Sequence, residues 1–200
     1  MKKLHLFLFA AAALFAVESS AGNFQIDGRA SVPVEIAFPS KGCNPFRMGK
    51  DPRSFTVTAY RNLGKTYQKF EFTIMPKADG VLKLEFKGQY SRTKGMKNLN
   101  QVWITFDDIK ATGTQIKNGS FETLRTTPPG QPVESWVFAA TKPVYEARLL
   151  KADGNAADGK NAVCVWHNAF CFQENIPLKQ GVKVTISFQA KYADTEKAEE

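Results

Sequence analysis

The chain has 200 residues, 43% of them hydrophobic, with a formal net charge of +8. That length suits one ordinary domain around one sizeable core and leaves no room for several. The positive charges are scattered, densest over 91–98 ("SRTKGMKN"), and no helix or groove motif organises them, which argues against nucleic acid as the partner.

In chain order, residues 1–21 read as a signal peptide. Lys2 and Lys3 form a basic start, "LHLFLFAAAALFAV" is an apolar run too short to span a bilayer comfortably, and Ser19 to Ala21 supply small residues for cleavage after Ala21. No cysteine follows closely, so a lipid anchor is not expected. The mature chain is expected to be secreted, periplasmic or at the cell surface, without membrane insertion after cleavage. Its formal charge is about +7.

Period-two alternation dominates the remainder. "SVPVEIAF" sets Val32, Val34, Ile36 and Phe38 on one side. "YQKFEFTI" does the same with Phe70, Phe72 and Ile74, and "VLKLEFKG" with Leu82, Leu84 and Phe86. "QVWITFDDI" places Val102, Ile104 and Phe106 against Trp103, Thr105 and Asp107. "VKVTISFQAKY" runs from Val182 through Val184, Ile186, Phe188 and Ala190 to Tyr192. Further strands are expected at 54–60, 120–124, 135–139, 145–150, 162–166 and 169–173. Turn chemistry separates them: "PSKGCNP", "KADG", "TTPPGQP", "KADGNAADGKN" and "LKQG". No stretch keeps a 3.6-residue apolar period. About ten short strands with frequent turns predict an all-β, two-sheet antiparallel β-sandwich of jelly-roll type. It spans 22–192 as a single domain, and 193–200 is a polar tail.

Three cysteines follow the leader: Cys43, Cys164 and Cys171. In "VCVWHNAFCF" a two-residue turn at His167-Asn168 would set Cys164 opposite Cys171, within disulfide reach. That bond is favoured, with Cys43 unpaired, although the sequence allows all three pairings. The Cys164, His167 and Cys171 spacing matches no standard zinc knuckle.

"IKNGSFETL…PVESWVF…GKNAVCV…FCFQENIPLKQGVKVTISFQAKY", over 116–192, resembles the first half of jelly-roll carbohydrate-binding modules with the galactose-binding-like fold. "RNLGKTYQKFEFTIMPKADGVLKLEFKG…VWITFDDIKATG", over 61–113, resembles their second half. The halves stand in reverse order, as a circular permutation joined through "KATGTQIK" would leave them. The rival arrangement is a pair of truncated modules completed by strand exchange. Permutation predicts that 102–109 and 118–124 lie side by side.

The resemblance implies a non-catalytic protein that binds an oligo- or polysaccharide. Such sites combine aromatic platforms with hydrogen-bonding side chains. The candidates are Trp103, Trp136 and Trp166, then Tyr90, Arg92 and Tyr145; for Trp136 the resemblance points more toward core packing. Acidic residues in this neighbourhood of the family contribute to a structural calcium site, which implies Asp107, Asp108 and Glu122 as ligands. Asp108 is expected to point inward with Phe106. His167 is the only histidine after the leader, and no G-x-S-x-G, H-E-x-x-H or phosphate loop is present, so catalysis is not expected. A structural or protein-interaction sandwich is the alternative, and a small glycan hydrolase the third reading.

Overall fold

Clean alternation produces the longest strands. Leu82, Leu84 and Phe86 are buried while Lys83, Glu85 and Lys87, which alternate with them, face outward. Val184, Ile186, Phe188 and Ala190 repeat the pattern near the C-terminus. The computed structural model describes residues 23–88, 103–126, 131–142, 146–151, 154–166 and 169–193. Expectations for the leader, the tail beyond 193, Tyr90, Arg92, Tyr145 and the His167-Asn168 turn fall outside these residues.

Among the described residues all regular structure is β: β1 (Phe24–Ala30), β2 (Val34–Lys41), β3 (Cys43–Phe46), β4 (Ser54–Ala59), β5 (Gln68–Pro76), β6 (Gly80–Gly88), β7 (Trp103–Thr112), β8 (Val137–Ala140), β9 (Ala147–Lys151), β10 (Asn161–Trp166), β11 (Ala169–Leu178) and β12 (Val184–Ala193). They form two six-stranded sheets. The first has the order β3-β4-β1-β6-β11-β8 and the second β2-β5-β12-β7-β10-β9. Every neighbouring pair is antiparallel.

Phenylalanines join the sheets. Phe24 and Phe86 of the first sheet meet Phe70, Phe106 and Phe188 of the second edge-to-face, with ring centroids 4.8 Å apart for Phe24–Phe70, 5.1 Å for Phe24–Phe188 and 5.2 Å for Phe86–Phe106. Each such contact contributes about 0.5–1.5 kcal/mol beyond the burial of its area.

Two strands escape the alternation rule. In β1 the run "FQIDGRA" puts an aspartate and a glycine among the apolar residues, so it does not read as a strand. β3 contains Asn44-Pro45 and reads as a turn; it lies at the edge of the first sheet, the position where a proline costs least.

The "NGSFE" segment is not a strand either. It is a turn in which Asn118 and Phe121 adopt positive φ. The Asn118 amide donates to the carbonyls of Thr123 and Glu134, and its side-chain oxygen accepts from the Thr123 N–H. Phe121 is buried against Trp136, with ring centroids 5.2 Å apart. The turn touches the end of β7, where the Ile109 N–H donates to the Gly119 carbonyl at 2.9 Å. The two segments are therefore adjacent, but they do not pair as strands.

β7 carries one extra residue against β12, a bulge between the Gln189–Asp107 and Ser187–Lys110 pairs. Asp108 takes a left-handed φ of 51° there, a conformation that aspartate tolerates better than most residues. The bulge shifts the phase by one. Ile109, not Asp108, enters the core, so Asp108 does not follow Phe106 inward.

β10 and β11 belong to different sheets. β10 pairs with β7 and β9 in the second sheet, whereas β11 pairs with β6 and β8 in the first. The expected hairpin and its Cys164–Cys171 bond are overturned. Cys171 points into the core and Cys164 faces the outside of the other sheet. All three cysteines are buried free thiols.

Candidate functional site

Strand register assembles a polar and aromatic patch on the outside of the second sheet. Trp103, Thr105 and Asp107 alternate with the core residues Ile104 and Phe106. Register sets Trp166 beside Trp103, and it sets Thr105 between Cys164 and Lys191; Arg148 lies beyond Cys164 on β9.

Trp103 faces outward as its alternation predicts, yet it is only 8% exposed. Its ring lies 5.9 Å from that of Trp166, and the Arg148 guanidinium sits 4.1 Å from its centroid. Trp166 is half-buried. Lys191 covers the Tyr67 ring at 4.3 Å, and its ammonium donates to the Asn155 carbonyl at 3.2 Å. Burial pulls the Lys191 pKa down. Burial pushes the Tyr67 phenol up, helped by the charges of Asp107 and Cys164. Two buried polar atoms of this patch, the Tyr67 hydroxyl and Arg148 Nε, find no hydrogen-bond partner among the described residues. Buried donors of this kind normally hold a partner.

Trp136 is elsewhere. It is fully buried, and its indole N–H donates to the carbonyls of Lys117 and Asn118 at 3.1 and 3.0 Å. It anchors the "NGSFE" turn to the core and cannot serve as a stacking platform.

The carboxylates fasten a strap. Asp107 is fully buried and accepts from the backbone N–H groups of Asp108, Ala157 and Asp158 at 2.6, 2.7 and 3.0 Å. Burial raises its pKa to about 6 against the pull of these bonds. Glu122 accepts from the N–H groups of Lys160 and Asn161, both at 2.7 Å, and from the Asn161 amide at 3.1 Å. Together they pin 157–161. Asp108 pairs with Lys110 and accepts from the Gln189 amide. Calcium needs six to eight converging oxygens. These three carboxylates point at N–H donors and an ammonium instead, and no group of three or more acidic, histidine or cysteine side chains among the described residues could hold a metal.

The outside of the first sheet was not foreseen. Register sets out one row of Thr56, Asp27, Glu85 and Phe172, and a second of Gln25, Lys87 and Phe170. Asp27 and Glu85 face one another across strands, a repulsive pairing. Lys87 bridges them at 2.6 and 2.9 Å, and Lys83 holds Glu85 at 2.9 Å. Burial opposes the Glu85 charge, but the bonds from the two lysines prevail and keep its pKa below the usual value. Thr56 and Gln25 also donate to Asp27. Lys83 rests 3.8 Å from the centroid of the Phe172 ring. A cleft of about 480 Å³ opens at the Arg29 end of this face. The alternation of Lys83, Glu85 and Lys87 was visible in the sequence. Their partners on β1 were hidden because β1 itself was.

Fold and faces together define an all-β, two-sheet antiparallel sandwich with a polar, aromatic patch on one outer face and a charged face with a cleft on the other. Comparison with family models, curated proteins and solved structures finds no match.

Proposed function

We propose that the protein is an exported, non-catalytic carbohydrate-binding sandwich of jelly-roll type, and that the outside of its second sheet receives the sugar. One observation carries this reading. The Tyr67 hydroxyl and Arg148 Nε, both buried without a partner among the described residues, lie in a patch with the Trp103–Trp166 ring pair. Once the long Lys191 and Arg148 side chains shift from the Tyr67 and Trp103 rings they cover, a pyranose offers hydroxyls to such groups and an apolar face to an indole. Trp166, the less covered ring, is the stacking partner. Trp103 lies beside it on the paired strand, with Arg148 over the Trp103 ring and Lys191 over the Tyr67 ring. The meeting of Ile109 with Gly119 supports the permuted arrangement, in which "KATGTQIK" joins the family's last and first strands.

Titrating the mature protein against a broad glycan panel, with tryptophan fluorescence and calorimetry as readouts, tests the reading. Binding is expected at millimolar ligand or below, and Trp166→Ala should weaken it about tenfold. Folded protein that binds no glycan refutes it.

A protein-interaction sandwich is the second reading. Phe46 on the edge strand β3 and nearby Met48 favour it, with 41% and 49% exposure. Sedimentation of the mature protein that shows self-association abolished by Phe46→Ser would support it.

A further inference from the structure

We infer that the cleft beside β1 and β4 binds a uronic acid residue, with Arg29 gripping its carboxylate. The sugar half of this inference rests on the carbohydrate reading; the acid half rests on the charge balance of the first sheet's outer face.

The carboxylates on that face are already taken. Asp27 accepts from Thr56, Gln25 and Lys87, and Glu85 accepts from Lys83 and Lys87. Asp51 is held by Arg53 at 3.0 Å. The Arg29 side chain has no hydrogen-bond or ion-pair partner among the described residues. It is exposed, it lines the cleft, and its cross-strand neighbours are Ser54 on one side and Lys83 on the other. Two cations facing each other across strands repel, and an anion placed beside Arg29 relieves the pair.

The rest of the lining selects the kind of anion. A planar guanidinium matches a planar carboxylate with two parallel hydrogen bonds. Asp27, Asp51 and Arg53 also line the cleft. Each carboxylate is paired with a cation but keeps lone pairs that can accept from sugar hydroxyls, and a second charge on a phosphate would meet these carboxylates more strongly than the single charge of a uronate does. Ser54 adds a further hydroxyl, and Met48, 49% exposed, offers apolar surface to the carbon face of a pyranose. A volume of about 480 Å³ lies within the usual range for small-molecule sites. A single negative charge, several hydroxyl donors and one apolar face describe a uronate. The net positive charge of the mature chain, about +7, draws acidic polymers toward the surface in low salt.

The experiment uses the full mature chain with short oligouronides of galacturonate, glucuronate or mannuronate, their methyl esters, neutral oligosaccharides, and inorganic sulfate and phosphate. At least one oligouronide should bind about tenfold more tightly than its methyl ester. Arg29→Gln should erase that difference, Arg29→Lys should restore part of it, and neither should alter neutral-glycan binding. Oligouronide affinity that survives Arg29→Gln overturns the inference. So does sulfate or phosphate that displaces oligouronide at equal concentration. Neutral glycans bound with no preference for the acid form sink the uronate site and leave the carbohydrate reading standing. A protein that binds no glycan refutes both.

Discussion

Replacing Gly119 with alanine sets a steric cost against a conformational one. Gly119 does not have a positive φ, so alanine meets no backbone penalty there. Its Cβ, however, would stand 1.8 Å from the Ile109 carbonyl oxygen and 2.8 Å from the carbonyl carbon. Both atoms are backbone, so no rotamer change gives relief and the turn must lift away from β7. Lifting endangers the Ile109-to-Gly119 hydrogen bond and the two that the Trp136 indole makes to Lys117 and Asn118. At about 1 kcal/mol net for each, the substitution should destabilise the fold by about 3 kcal/mol. Gly154 is the control. It has a φ of 78° with nothing within 4 Å of an added Cβ, so alanine there costs only the left-handed penalty, about 1 kcal/mol. Urea unfolding of the two variants beside the parent protein measures both. If Gly119→Ala is no more costly than Gly154→Ala, the close packing of the turn on β7 is wrong.

The pH profile isolates Asp107. Burial lifts its pKa from 3.8 to about 6, so in the window between these values the folded protein holds a proton that the unfolded chain has released. Stability therefore rises as pH falls, by about 2 kcal/mol between pH 6.5 and 4.5. Glu85 acts with the opposite sign, but only below its usual 4.5, because its folded pKa is depressed. Asp107→Asn should flatten urea-derived stability across that window, and an unchanged slope would contradict the burial of this carboxylate. Thiol labelling gives a further test. Burial pushes Cys43 up to about 12 and Cys164 to about 11, and raises Cys171 as well, so the native protein should resist maleimide at pH 8. In denaturant all three cysteines should react without prior reduction, and fewer would reveal a disulfide.

Strands were legible where one side chain in two is apolar and nothing interrupts the count, as in β6 and β12. β1 was not, because Asp27 and Gly28 belong to it for tertiary reasons. Asp27 is held by Thr56 and Lys87 from neighbouring strands, and no local pattern announces those partners. Pro45 hid β3 in the same way. The cysteine pairing failed for a different cause. Alternation shows which side of a strand is buried but not which sheet the strand joins, and β10 and β11 join different ones. Candidate site residues divided similarly. The outward direction of Trp103 followed from its neighbours Ile104 and Phe106, while the Arg148 cover came from β9, two strands away in the sheet. "NGSFE" kept its composition but changed its meaning: each of Asn118, Gly119, Phe121 and Glu122 holds a turn, and none builds a strand.

The strand order has a consequence for assembly in time. β12 lies between β5 and β7 in the second sheet, and β6 lies between β1 and β11 in the first. A chain growing from its N-terminus makes β5 and β7 long before the strand that separates them. The second sheet cannot close until β12 arrives, and Phe188, which bridges to Phe24 and Phe86, arrives with it. Pairings so distant along the chain make for slow folding. Until that strand docks, the facing edges of β5 and β7 lack their central partner and stand open to pairing with another chain.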